Sequence, residues 1–150
     1  IAEPTRRHGE LVVIGCDRTA PELSLVIADA GAVFYPVDCA GSLHTSVIEL
    51  FVRSGRGGVM VLACPPRDCW NREGPRWLSE RVYHNREAEL QARVDRQRVR
   101  IAHADSRDAS GTRAVIAGFR AELAQLETAR PDATLDIDTV CEPIELEAKS

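Results

Sequence analysis

Residues 59–70 read VMVLACPPRDCW: five apolar residues run into Cys64 and two prolines, and after two charged residues comes Cys69. Cys16, Cys39 and Cys141 complete a set of five cysteines. Thiols can pack as small hydrophobes, pair as disulfides, cycle as a redox couple or bind metal. Four residues separate Cys64 from Cys69, whereas thioredoxin-like pairs are separated by two. A thiol-based redox regulator built on Cys64 and Cys69 is therefore a poor fit to that motif. Four thiolates suit a tetrahedral zinc site or an iron-sulfur cluster. Structural zinc sites usually draw on paired short-spaced knuckles. Here one local pair exists, with Cys39 and Cys16 lying 25 and 48 residues before Cys64. Spacing makes zinc the weaker metal, yet neither known ferredoxin spacing is present, so unrelated packing cysteines also stay open.

The elements around these cysteines favour a shared site. ELVVIGC ends at Cys16, AVFYPVDC at Cys39 and GVMVLAC at Cys64, each apolar and rich in β-branched residues. APELSLVIADAG lies between the first two strands, with Pro21 suited to a first helical turn and Gly31 to the residue past its end. SLHTSVIELFVRSG separates the second and third, with Leu43, Val47, Leu50 and Phe51 at helical spacing and a stop at Gly55. After Cys69 come a turn-forming WNREGPRW and a charged helical stretch whose apolar stripe is Leu78, Val82, Leu90 and Val94. RVRIAHA reads as a fourth strand, and SGTRAVIAGFRAELAQLE as a final helix with Val115, Phe119, Leu123 and Leu126 inward.

Strands alternating with helices imply an α/β, doubly wound, mostly parallel sheet of about four to five strands with helices on both faces. Such a sheet lines up the carboxyl ends of its strands along one edge, where ligands bind. The strand-end cysteines are thus expected at one edge. Residues 1–9 form a polar lead-in, 10–130 the domain and 131–150 an acidic extension with a short strand or loose chain. Ile1 at the start is compatible with processing or with a longer polypeptide.

Of the 150 residues 44% are apolar and 28% charged, with a net charge of -4. A chain of this length removes roughly 70% of its unfolded surface on folding, so no disulfide staple is needed. No apolar run approaches the ~20 residues that span a bilayer, and no signal-peptide succession opens the chain, which reads as cytoplasmic, with no membrane span. The acidic balance and the lack of interleaved aromatic and basic residues exclude a recognisable nucleic-acid module. Residues 67–100 hold nine arginines against six acids, read as a solvated surface or as a docking patch for an acidic partner.

Of the scattered histidines, His8, His44, His84 and His103, none stands in a catalytic order, and His44 is the one replacement-ligand candidate. Arg72, Arg76 and Arg81 are solvated, or they neutralise an anionic site or grip an acidic partner. Trp70 and Trp77 roof the site or pack ordinarily. Cys141 is expected to be no ligand. With no GxGxxG after the first strand, no bound nucleotide is expected.

GVMVLACPPRDC followed by WNREGPRWLSERVYHNREAEL resembles the delta subunit of methyl-viologen-reducing hydrogenase and its bacterial relatives, the hydrogenase iron-sulfur subunit family. The resemblance covers most of residues 10–126, its cysteines matching Cys16, Cys39 and the close pair Cys64 and Cys69. Two departures stand out. Thr19 occupies the second position of a pair that the family often has after the first strand, and Ala63 and Pro65 replace the usual glycine and histidine around Cys64. The resemblance implies a 2Fe-2S cluster on Cys16, Cys39, Cys64 and Cys69 that passes electrons between a hydrogenase or dehydrogenase partner and a heterodisulfide-reductase-like flavoprotein. The redox partner would be a separate subunit or a fused domain. Each iron takes two protein thiolates, so four cysteines close the shell and favour electron transfer over turnover of a substrate.

Overall fold

The computed structural model describes residues 9–18, 20–66, 68–84 and 89–129. Thr19, His8, Cys141 and the 131–150 extension therefore lie outside the described residues. In chain order the elements are β1 (Leu11–Cys16), α1 (Ala20–Asp29), β2 (Ala32–Val37), α2 (Thr45–Arg53), β3 (Gly58–Ala63), α3 (Gly74–Tyr83), β4 (Val99–His103) and α4 (Ala109–Thr128). The described strands form one parallel sheet in the order β2-β1-β3-β4. This is the expected doubly wound architecture.

Burial follows position in the sheet. Every residue of β1 and β3 is buried, as the two central strands of a sheet covered on both faces require. The outer strands are half-buried. Pro36, which donates no ladder hydrogen bond, is tolerated because β2 is an edge. On the other edge, β4, one backbone donor is satisfied by a side chain: Ile101 N–H donates to Tyr83 Oη at 3.1 Å. Val12, Ile14, Val59 and Val61 pack with Ile48 of α2 and Leu78 and Val82 of α3. On the opposite face Leu11, Val13, Met60 and Leu62 pack with Leu23 and Ile27 of α1 and Ile116, Phe119 and Leu123 of α4. The alternation along each strand thus feeds two cores, and both helix stops hold, with Gly31 and Gly55 at φ of 75° and 82°.

Three local expectations shift. Leu50 is 65% exposed and Val115 is exposed, while Ile48 and Ile116 are buried. In α2 Leu43, Val47 and Phe51 do pack on the core, and only Leu50 departs, because the helix begins at Thr45 and its inward face runs through Ile48. In α4 the adjacent Val115 and Ile116 offer two phases, and the one including Thr112 and Ile116 is used. The charged stretch after Cys69 is not one helix. The chain leaves α3 at Tyr83, and Leu90 and Val94 are buried from irregular backbone.

Arginines hold that backbone. Arg96 donates to Val82 O at 3.2 Å and Leu90 O at 2.6 Å. Arg93 donates to the buried Glu49 of α2 at 2.7 Å, and Arg98 to Gly57 O at 2.7 Å. Part of the basic excess of residues 67–100 is therefore internal stapling, while Arg72, Arg76, Arg93 and Arg100 are exposed. No helix among the described residues is long and apolar enough to cross a membrane.

Candidate functional site

From β1 the chain passes to β2 on one side and later returns to β3 on the other. The gap at the carboxyl ends of β1 and β3 is thus the topological switch point, where open α/β sheets form their ligand crevice. Cys16 is the last residue of β1 and Cys64 the first after β3. Their sulfurs lie 3.3 Å apart, with the Cys64 thiol donating to Cys16 Sγ. The Cys16 thiol donates in turn to Asp38 O at 3.5 Å, which ties this pair to the segment before Cys39. None of the four described cysteines is in a disulfide.

Cys39 reaches the edge differently from the way the sequence implies. β2 ends at Val37, two residues short, and Cys39 instead caps a 3-10 turn over Ala40–Ser42, its Sγ accepting from Gly41 N–H at 3.3 Å. Above it sits the first residue of α3. A Cβ on Gly74 would stand 3.0 Å from Cys39 Sγ, and a Cβ on Gly41 would meet Gly74 Cα at 2.3 Å. Glycine at both positions lets the helix start press directly onto the turn that holds this thiol. Arg81 of α3 closes the contact by donating to Gly41 O at 2.5 Å. Arg81 is thereby a clamp between elements rather than a solvated cation. Gly41 and Gly74 escape a reading by residue type, because WNREGPRW signals only a turn. Their role emerges from the packing of α3.

Cys69 lies on the loop after β3 and is half-buried. Trp70 beside it is 73% exposed and carries the Arg18 guanidinium 4.0 Å from its ring centre; Trp77 is exposed too. Of the two readings of the tryptophans, a roof over the thiols is not the one adopted, since both rings are exposed. A roof needs rings turned inward, and the space over Cys39 is taken by the α3 backbone. His44 is no replacement ligand in this arrangement: it is exposed, and its Nδ1 accepts from Ser46 N–H at 3.2 Å as the cap of α2. His103, read as bland, has Nδ1 2.9 Å from Cys64 O and so fixes the backbone of that cysteine. A recess of about 220 Å³ opens beside Cys64 between Arg18, Asp68, Asp105 and Arg107. A larger groove of about 850 Å³ runs along α3 past Arg72, Arg76, His84 and His103, and no cysteine lines it. The smaller recess is the one that meets the thiol chemistry.

An all-sulfur donor set matches zinc or iron-sulfur chemistry and neither calcium nor magnesium. In the arrangement described, the switch-point thiols touch, while no group of three or more His, Cys, Asp or Glu side chains among the described residues is close enough to hold a metal ion. The donor type would suit a thiolate-bound centre, and two of the four thiols, Cys16 and Cys64, are in contact.

No curated protein matches the chain. The family model for the methyl-viologen-reducing hydrogenase delta subunit matches residues 27–127, from within α1 to the last turn of α4. That span includes Cys39, Cys64 and Cys69 with the whole of α3, and starts after Cys16. Covering well over half its length, the match shows that this chain belongs to the methyl-viologen-reducing hydrogenase delta-subunit family.

Proposed function

We propose that this chain is an electron-transfer component holding one 2Fe-2S cluster on Cys16, Cys39, Cys64 and Cys69. Its electrons would pass between a hydrogenase- or dehydrogenase-type partner and a heterodisulfide-reductase-like flavoprotein. The observation that carries the reading is the contact of the Cys16 and Cys64 thiols at the switch point, 3.3 Å apart. A 2Fe-2S cluster supplies one-electron transfer at a potential set by net charge, hydrogen bonds to sulfur and exposure.

The chain's own groups would set those variables. Cys16 and Cys64 offer two ligands from buried strand ends. Gly41 N–H, already directed at Cys39 Sγ, would stabilise negative charge on that sulfur and raise the potential. Pro65 and Pro66 withhold two N–H donors from the loop between Cys64 and Cys69. Exposed Trp70, with Arg18 stacked on it, offers a cationic and aromatic face for a partner beside the site.

The test is metal content after anaerobic reconstitution of the full chain with iron and sulfide. About two irons and two acid-labile sulfides per chain, lost in Cys64→Ser, are expected from the thiolate count of such a cluster. One zinc and no sulfide would make the site a structural staple, and absence of both metals would leave no carrier.

A further inference from the structure

We propose that Cys16 and Cys64 are a redox-modification site: in the metal-free chain they form a reversible disulfide when a peroxide enters the recess beside Cys64. The backbone suits the bond. The last β1–β3 register pair is Gly15 with Leu62, so Cys16 stands level with Ala63 and Cys64 lies one residue further along. Because the chain has left β3 at Ala63, Cys64 is released from the pleat that would turn it to the face opposite Cys16, and its sulfur reaches Cys16 Sγ. With the sulfurs at 3.3 Å, bond formation asks for about 1.3 Å of closure, which small side-chain rotations supply.

Access selects the oxidant. The two thiols are only 4% and 6% exposed, which shields them from a bulky disulfide reagent. Cys64 nevertheless lines the recess of about 220 Å³, which admits molecules of the size of water or hydrogen peroxide. There the Cys64 thiol attacks the peroxide oxygen, giving Cys64–SOH and one water. The neighbouring Cys16 sulfur then displaces the hydroxyl, forming the S–S bond and releasing a second water. Two thiols lose two electrons and two protons, and one peroxide is reduced to two waters. A dithiol reverses the step by exchange, leaving both cysteines reduced and its own sulfurs joined. Resting on the cluster reading, the consequence is a gate: the disulfide removes two of the four ligands, so an oxidised chain cannot be loaded.

The experiment treats the metal-free full chain with hydrogen peroxide, removes the peroxide, unfolds the chain in denaturant with iodoacetamide to block every remaining thiol, and maps the peptides before and after dithiothreitol. Blocked thiols should fall from the five cysteines of the chain by two, with the Cys16 and Cys64 peptides joined, and return on reduction. The same link should persist in Cys69→Ser. A Cys64–Cys69 or Cys64–Cys39 link, irreversible oxidation, or no thiol loss would overturn the proposal. Iron uptake by the oxidised chain should fall at least about tenfold against the reduced chain, and equal uptake would overturn the gate. If the disulfide forms but the reduced chain takes up no iron, the disulfide stands and the cluster reading fails.

Discussion

Cys16 ends one central strand and Cys64 directly follows the other, whereas Cys39 and Cys69 stand two and six residues beyond the ends of β2 and β3. The first pair inherits its position from ladder hydrogen bonds and from strands buried along their whole length. Cys39 is held by a 3-10 turn under the start of α3, and Cys69 by a half-buried loop. The ends of the central strands deliver the first pair, while Cys39 rests against the start of a docked helix and Cys69 on a loop. The proposed four-cysteine site would thus have a half set by the central strands, the rigid half, and a half set by a docked helix and a loop, the adaptable half.

The largest effect comes from breaking the rigid half. Cys16→Ser or Cys64→Ser should remove essentially all bound sulfide after reconstitution, while Cys69→Ser, on the adaptable loop, retains a measurable fraction. Equal loss in all three variants would erase the distinction. The next effect separates scaffold from site. Leu78→Ala, in a side chain fully buried between α3 and the sheet, should lower unfolding free energy by about 2–5 kcal/mol. Leu50→Ala, at an exposed position, should stay within about 0.5 kcal/mol. Denaturant melts compare them directly, and iodoacetamide labelling in Leu78→Ala should accelerate at Cys39 more than at Cys16.

A smaller change probes the contact beneath α3. Gly41→Ala drives a methyl into Gly74 Cα and should cost about 1–3 kcal/mol, exposing Cys39 to labelling while Cys16 keeps its rate. If Gly41→Ala is as stable as the parent, the close approach of turn and helix is not what holds Cys39. Smallest of all, Trp70→Ala removes an exposed ring and its cation-π contact, so stability should change by less than about 1 kcal/mol. Any larger effect on electron transfer with a partner would then report docking.

The rigid half was also the more legible in the sequence. Uninterrupted apolar runs ending in cysteine mark β1 and β3 because central parallel strands are buried on both faces. β2 is less clear, since an edge strand can stop early and Val37–Cys39 carries no turn signal stronger than Asp38. Most of each helix stripe is legible, but Leu50 is not, because the cap of α2, His44, is an unusual capping residue, and Val115 is not, because it and Ile116 serve two phases of α4 equally. Gly41, Gly74 and the clamp by Arg81 were not legible, because they join residues about 33 and 40 positions apart through α3 docking rather than through a local motif.

The most direct test is low-temperature electron paramagnetic resonance of the anaerobically reconstituted full chain reduced with dithionite. The account predicts a single S = 1/2 signal integrating to about one spin per chain, as one 2Fe-2S cluster taking up one electron requires. A chain that binds zinc or no metal and stays silent under reduction would contradict it.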